Sequence, residues 1–372
     1  YNALLSLFSM MGVVGTVLSI SVVKVVSELL SKEKFSALTK LFWRLSLFSL
    51  VFGVSIASVI YLIRIPLARY LNIPQTYLLV LVGLYFSANL LNYIPSAYLR
   101  GLLRFKAQAV LSSAVGIVRL LLAGLFVYLG YRVGGVYLAL TLSLLIVYGV
   151  GLWLLKKNMD YSNSPNISRY LKRIAAFSLP VLFMYLGMFS LNNIDLVLVK
   201  KFFDPVEAGY YAGVVILGKI ILFGAGALNI VMFPQISALK TAGEDYLSKF
   251  KFFLGLMLVV LGGAIFTYNA VPTFIARLFF GERFLASAAY LPMFSIFISL
   301  YVLVNFIIMF FMAVDKTKVA FVSLPAVAVQ FVLINLYHDT LSTVININIS
   351  VVFTILVILI FYLYKLSKDT AR

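Results

Sequence analysis

Apolar residues fall in long, nearly unbroken runs separated by short polar loops, and a bilayer core takes about 20 such residues as helix. Eleven runs are legible: residues 1–23, 42–63, 77–99, 107–130, 134–155, 174–199, 208–234, 252–272, 288–311, 319–338 and 345–364. None alternates with period two over segments of about ten, as a membrane barrel requires. The expected fold is therefore an all-α integral membrane protein, a helical bundle of about eleven transmembrane helices. Composition agrees: with 63% hydrophobic and 11% charged residues and a mean hydropathy of +1.07, the chain lies far outside the range of soluble domains.

Charge changes the picture twice. Net charge +18 would suggest nucleic acid in a polar chain, but here membrane topology accounts for it, and no nucleic-acid partner is expected. Of 30 Lys and Arg, 21 lie in one alternate set of loops and 7 in the other. The first set is assigned to the cytoplasm, with Tyr1 outside and the C-terminus inside. The other two, Arg119 and Lys219, fall inside spans. The chain opens at Tyr1 within apolar sequence, without Met, basic n-region or cleavage site, and is expected to be the interior of a longer protein.

Residues 24–44 pair Lys24, Glu28 and Lys32 at i,i+4 beside Val25, Val26, Leu29 and Leu30, which predicts a helix end running along the interface. Residues 156–173 form the longest polar stretch and the best linker. They separate an N-terminal lobe, 1–157, from a C-terminal lobe, 173–372, across a linker at 158–172. The lobes are faintly alike. Tyr1-Asn-Ala matches Tyr211-Ala212, Pro66 to Leu71 matches Phe274 to Phe279, and Gly101 to Lys106 falls where Ala313 to Lys318 does. Two pseudo-symmetric lobes follow, the first lacking one helix of a six-plus-six plan, with a substrate site between them.

Zero cysteines and one histidine, His338, exclude disulfides, thiolate chemistry and an ordinary zinc site. No Walker loop, GxSxG or HExxH is present, so neither an enzyme nor a bound cofactor is expected. His338 is placed at an outer helix end in solvent. Pro180, Pro272 and Pro292 lie in or near spans as candidate kinks. Asn166 and Asn348 each open an Asn-Ile-Ser sequon, one on the cytoplasmic side and one inside a span, so neither predicts glycosylation. Asp204-Pro-Val-Glu207 reads as a capping box opening a helix.

A charge inside a membrane helix costs roughly 2.5–3.5 kcal/mol on insertion scales, which makes it a functional candidate. Arg119 shares a helical face with Ser112, Gly116 and Ala123, small or polar residues that suit protein or an aqueous cavity; it reads equally as a clamp and as a substrate contact. Lys219 has Ala212 and Gly226 one heptad to either side. Asp195 follows Asn192 at i,i+3 and precedes Lys200 and Lys201; it reads as a proton or cation coupling site, as an interfacial residue, or as a partner of Lys219.

The stretches Leu99 to Leu140, Ser178 to Ile220 and Met232 to Ser237 (MFPQIS) resemble the Wzx-type polysaccharide-biosynthesis flippases of the multidrug/oligosaccharidyl-lipid/polysaccharide superfamily. The resemblance covers essentially the whole chain. It implies twelve core helices in two lobes, of which these would be helices 2 to 12, a central cavity, and transport of lipid-linked sugars by alternating access. The expected function is export of a polyprenyl-diphosphate-linked oligosaccharide across the plasma membrane. Arg119, Lys219, Asn192 and Ser112 would contact the substrate, Asp195 would couple the cycle to an ion, and polysaccharide polymerase components would be protein partners. The rival functions are a cation or multidrug antiporter of the same superfamily and a non-transporting scaffold of a polymerase.

Overall fold

The computed structural model describes residues 2–70, 75–162 and 165–370. Tyr1, Leu71 and Arg372, which carried part of the repeat and topology readings, lie outside them. Apart from three 3-10 segments, the regular structure described is helical: α1 (Asn2–Ser31), α2 (Phe35–Leu62), α3 (Arg64–Tyr70), α4 (Tyr77–Gly101), α5 (Phe105–Tyr128), α6 (Arg132–Leu155), α7 (Ser168–Leu191), α8 (Ile194–Phe202), α9 (Pro205–Ala242), α10 (Tyr246–Ala270), α11 (Pro272–Phe280), α12 (Leu291–Ala313), α13 (Ser323–Leu336) and α14 (Leu341–Thr370). Among the described residues, eleven segments are long and apolar enough to cross a membrane, α7 and α8 together making one of them.

The chain divides into two compact units, Tyr1–Leu179 and Pro180–Arg372, the boundary falling inside α7. In the first unit α4 is the centre, packed against α1, α2 and α6, with α5 laid on α6. In the second, α12 takes that place against α9, α10 and α14, with α13 laid on α14. The sequence of α12 is apolar all round, as a helix surrounded by protein should be, and Phe297, Val304, Phe306, Ile308 and Phe310 are fully enclosed. The short helices α3 and α11 follow the corresponding spans α2 and α10.

The repeat seen faintly in sequence is explicit in the turns. Leu103 and Asp315 both take left-handed backbone, φ +58° and +65°. The following residues, Arg104 and Lys316, share φ −87° and ψ 59°. Each turn closes with the same bond, Arg104 N to Leu99 O at 2.8 Å and Lys316 N to Phe311 O at 2.9 Å. Glu33, at φ +54°, and the Lys34 N to Leu29 O bond repeat the turn between α1 and α2. A non-glycine residue held left-handed costs roughly 1 kcal/mol, so the geometry is imposed by the helices that the turn joins.

Helix contacts rest on small residues. In lipid there is no hydrophobic drive between helices, so close approach and van der Waals packing take over. A Cβ added at Gly53 of α2 would meet the Ser87 backbone of α4 at 2.7 Å, and one at Gly83 of α4 would meet the Ala57 backbone at 3.0 Å. Two small-xxx-small pairs, Gly53/Ala57 and Gly83/Ser87, thus interlock.

Some expectations change. No interfacial helix begins at Lys24: α1 runs on to Ser31, leaving a three-residue connection at 32–34. Lys24 is wholly buried, 3.2 Å from Glu28, whose Oε1 also accepts from Arg173 of α7 at 2.7 Å. The apolar residues Val22, Val23, Val25, Val26 and Leu29 around this group are buried too. Pro272 and Pro292 open α11 and α12 instead of kinking spans, whereas Pro95, Pro180 and Pro234 lie within helices. His338 is half-buried, stacked 4.0 Å from the Phe202 ring. Asp204 caps α9 as expected, accepting from Val206 N and Glu207 N.

Gly53→Val should lower stability by about 2 kcal/mol through forced separation of α2 and α4, read as a lower unfolding temperature in detergent. Gly124→Ala, where an added Cβ meets nothing within 4 Å, should leave that temperature unchanged or raise it.

Candidate functional site

The span that begins with α7 does not continue as one helix. It stops at Leu191, turns through Asn192 and Asn193, and restarts as α8 at Ile194. Two adjacent Asn residues, which compete with the helix for backbone hydrogen bonds, sit at the break. An interruption inside a span leaves carbonyls without helical partners, and these need donors from elsewhere. Gln330 of α13 donates to Leu191 O at 3.1 Å, and Tyr301 of α12 adds a bond at 2.9 Å to Met188 O, which also accepts from Asn192 N. Asn193 Nδ2 donates back to Phe189 O at 2.7 Å.

Asp195 lies in the first turn of α8 with no exposed surface. Its Oδ1 accepts from Leu196 N at 2.8 Å. Its Oδ2 accepts from the Tyr211 hydroxyl of α9 at 2.5 Å and from Asn348 Nδ2 of α14 at 2.8 Å. Asn348 Nδ2 also donates to the Tyr211 oxygen at 3.2 Å, while Asn348 Oδ1 accepts from Gln330 Nε2 at 2.8 Å. A carboxylate, a phenol and two amides from α8, α9, α13 and α14 thus form one chain that also reaches the broken backbone. The Gln330 Oε1 atom is buried without a partner among the described residues. No basic side chain pairs with Asp195 among the described residues, so of its alternative readings the one as a partner of Lys219 is not what the structure shows.

In the first unit Arg119 is half-buried on α5, near enough to Tyr85 of α4 for its charge to act on that phenol, and its Nε is buried without a hydrogen-bond partner among the described residues. Tyr85 begins a half-buried polar stripe along α4: Tyr85, Asn89, Tyr93, Ser96 and Arg100, spaced 4, 4, 3 and 4. Asn89 donates to the Tyr85 hydroxyl at 3.4 Å. Arg100 donates to Ser19 of α1 at 2.5 Å and to Ser96 O at 3.3 Å. Gly15 of α1 has no side chain because the Tyr93 ring occupies that space. Ser112 is exposed and accepts from Gln108 at 3.1 Å; Gly116, one turn before Arg119, borders open space.

Lys219 of α9 is half-buried and has no hydrogen-bond or ion-pair partner among the described residues. Ala212 and Gly226 share its half-buried face, and a Cβ on Gly226 would meet nothing within 4 Å. Asn192 is buried but its side chain stays outside the Asp195 network, because the turn at 192–193 removes it from the helical face that i,i+3 spacing implied. The structure therefore joins Asp195 to Tyr211, Gln330 and Asn348, and joins Arg119 to the α4 stripe. Polar residues inside apolar runs were the sequence signal for Gln330 and Asn348, and helical spacing was the signal for the stripe.

The chain belongs to the polysaccharide biosynthesis protein family, whose profile matches residues 5–289. No curated protein matches it by sequence. Solved structures share its fold. The Vibrio cholerae MATE transporter VcmN in the bent form is 17% identical, over 97% of this chain and 87% of that one, with a TM-score of 0.78. An outward-facing multidrug resistance MATE family transporter of the MOP superfamily is 16% identical, over 100% and 87%, with a TM-score of 0.77. The MATE transporter ClbM is 16% identical, over 96% and 85%, with a TM-score of 0.74. Such identities establish a common fold. The chain is thus a multipass membrane protein of a polysaccharide biosynthesis family that shares the fold of MATE transporters.

Gln330→Leu removes the donor to both Leu191 O and Asn348 Oδ1 and should cost about 2 kcal/mol or more. Tyr211→Phe should cost less, since Asp195 keeps two donors. Combined, the two should be non-additive by at least about 0.5 kcal/mol, measured as unfolding free energies in a mild detergent.

Proposed function

We propose that the chain moves a polyprenyl-diphosphate-linked oligosaccharide from the cytoplasmic to the outer leaflet of the plasma membrane by alternating access. The observation that carries the reading is the placement of Arg119 beside Tyr85, the first residue of the half-buried Tyr85, Asn89, Tyr93 and Ser96 stripe of α4. A guanidinium suits a diphosphate, while phenol, amide and hydroxyl groups beside it suit the hydroxyls and ring faces of sugars. Lys219 supplies a second cation with open space next to it. Ser112 lies on the Arg119 face, and Asn192 serves the substrate only through the turn it forms. Membership in a polysaccharide biosynthesis family supports this substrate over a drug. Polysaccharide polymerase components are the protein partners that such a step implies.

Asp195 is the coupling residue in this reading. A carboxylate without surface and without a basic partner must be balanced by a proton or a small cation. The Tyr211 hydroxyl and Asn348 Nδ2 donate to it, and Asn348 Oδ1 in turn accepts from Gln330 Nε2. Binding or release there would act directly on the broken α7–α8 span, the element best placed to differ between two states of similar energy. The fold neighbour ClbM is known in complex with Rb+, in keeping with a monovalent cation as one candidate.

The antiporter reading keeps the fold but needs a cavity selective for cations, and its support is the MATE likeness. Proteoliposomes containing the protein and a lipid-linked oligosaccharide separate the two. Arg119→Ala and Lys219→Ala should each cut initial flipping at least tenfold, with Arg119→Lys partly restoring it. Asp195→Asn should abolish the response to an imposed proton or sodium gradient while gradient-free equilibration persists. Uptake of cationic dyes unaffected by Arg119→Ala, with no flipping above empty liposomes, would assign the antiporter function instead.

A further inference from the structure

A second site lies at the end of α2 that the basic-loop bias assigns to the cytoplasm. There residues 159–162 and 165–167 lie against α2: Asp160 N donates to Thr39 Oγ1 at 2.8 Å, and Trp43 Nε1 to the Tyr161 hydroxyl at 3.4 Å. Lys40 Nζ donates to Pro165 O at 2.9 Å, a bond that positions the ammonium. Between α2 and the start of α7 this leaves an open cavity of about 600 Å³. Lys40, Arg44, Trp43 and Asn166 line one part of it, Leu47 and Leu171 another. Among the described residues that line the cavity, Lys40 and Arg44 are the charged ones, and Arg44 has no hydrogen-bond or ion-pair partner among the described residues.

The same helical stripe continues away from the cavity. Lys40, Trp43, Arg44, Leu47 and Val51 recur at one face of α2, and Leu47, Phe48 and Val51 are 52%, 58% and 57% exposed. A basic, aromatic-rimmed cavity therefore opens directly onto an apolar surface of a membrane helix. Trp at this level is the usual interfacial anchor. A free anion would use the cations and leave the apolar stripe idle, whereas an amphiphile with a phosphate head uses both.

We propose that this cavity binds the headgroup of an anionic phospholipid of the cytoplasmic leaflet, with Lys40 and Arg44 on the phosphate and the acyl chains along Leu47, Phe48 and Val51. Basic pockets at membrane helix ends on the cytoplasmic side select acidic lipids in this manner. The site involves neither Arg119, Lys219 nor Asp195, and stands whatever the transported substrate is.

Tryptophan fluorescence tests it in the full chain. Of the two tryptophans, Trp43 and Trp153, Trp153→Phe removes the second and makes Trp43 the only reporter. The protein is reconstituted in phosphatidylcholine vesicles containing phosphatidylglycerol, with either lipid brominated on its acyl chains. Brominated phosphatidylglycerol should quench Trp43 with a relative affinity roughly tenfold that of brominated phosphatidylcholine, two basic contacts each contributing several-fold. Lys40→Gln with Arg44→Gln should bring the ratio near one. Lys32→Gln with Arg169→Gln, which removes two exposed basic charges off the cavity, should leave it high. Equal quenching by the two lipids, or a ratio that falls equally in both double variants, would overturn the proposal. Loss of the preference in millimolar inorganic phosphate would make it a free-anion site, and displacement by a trace mole fraction of polyprenyl diphosphate would assign it to the carrier; either overturns the phospholipid.

Discussion

A polar backbone group inside a bilayer has no water to turn to, and the second unit is arranged around one place where this constraint is met by side chains. Breaking the span between Leu191 and Ile194 leaves Leu191 O to Gln330, while Tyr301 adds a second donor to Met188 O, which keeps Asn192 N. That requirement fixes long polar residues at set heights on α12 and α13, helices otherwise almost wholly apolar. Gln330 in turn orients Asn348, and Asn348 with Tyr211 holds Asp195. The break and the buried carboxylate are therefore one feature: removing the polar groups for one strands the other.

The two units solve their packing in parallel ways but place polarity differently. In each, a central helix, α4 or α12, contacts three neighbours in the same order, and the turn after it has the same left-handed residue and closing bond. In α12 and its neighbours, polarity is concentrated in the buried network. Along α4 it is spread as a half-buried stripe from Tyr85 to Arg100, next to Arg119. One arrangement suits a small ion enclosed by protein; the other suits an extended ligand with hydroxyl and phosphate groups.

Helix number and class were legible because membrane length is a strong filter on apolar runs, and the eleven spans recur with shifted ends. The pseudo-symmetry was legible at the turns, where Gly101 to Lys106 and Ala313 to Lys318 do correspond. The interior charges were harder. Lys24 and Glu28 read as a surface pair because i,i+4 spacing is the same in water and in protein. Their burial depends on Arg173, 145 residues further on, which no local pattern contains. The break at Asn192 and Asn193 was hidden by the apolar residues on both sides, so Asn192 and Asp195 were read as sharing a helical face. Asn348, noticed only as part of a sequon, proved to be a direct partner of the carboxylate.

The distribution of charge bears on how the proposed function could use an anionic substrate and a coupling ion in one chain. A buried carboxylate in contact with an exposed cation would compensate much of its charge, and an anionic ligand would then be weakly held. Asp195 has instead only neutral donors around it, and Lys219 has no carboxylate partner among the described residues. Keeping them unpaired preserves a strong field at each: the carboxylate for a proton or small cation, the ammonium for an anion. In the proposed function, coupling between them would have to travel through structure, by way of α9, which carries both Tyr211 and Lys219 eight residues apart. A shift of Tyr211 on loading of Asp195 would move the helix that presents Lys219, without any direct contact between opposite charges.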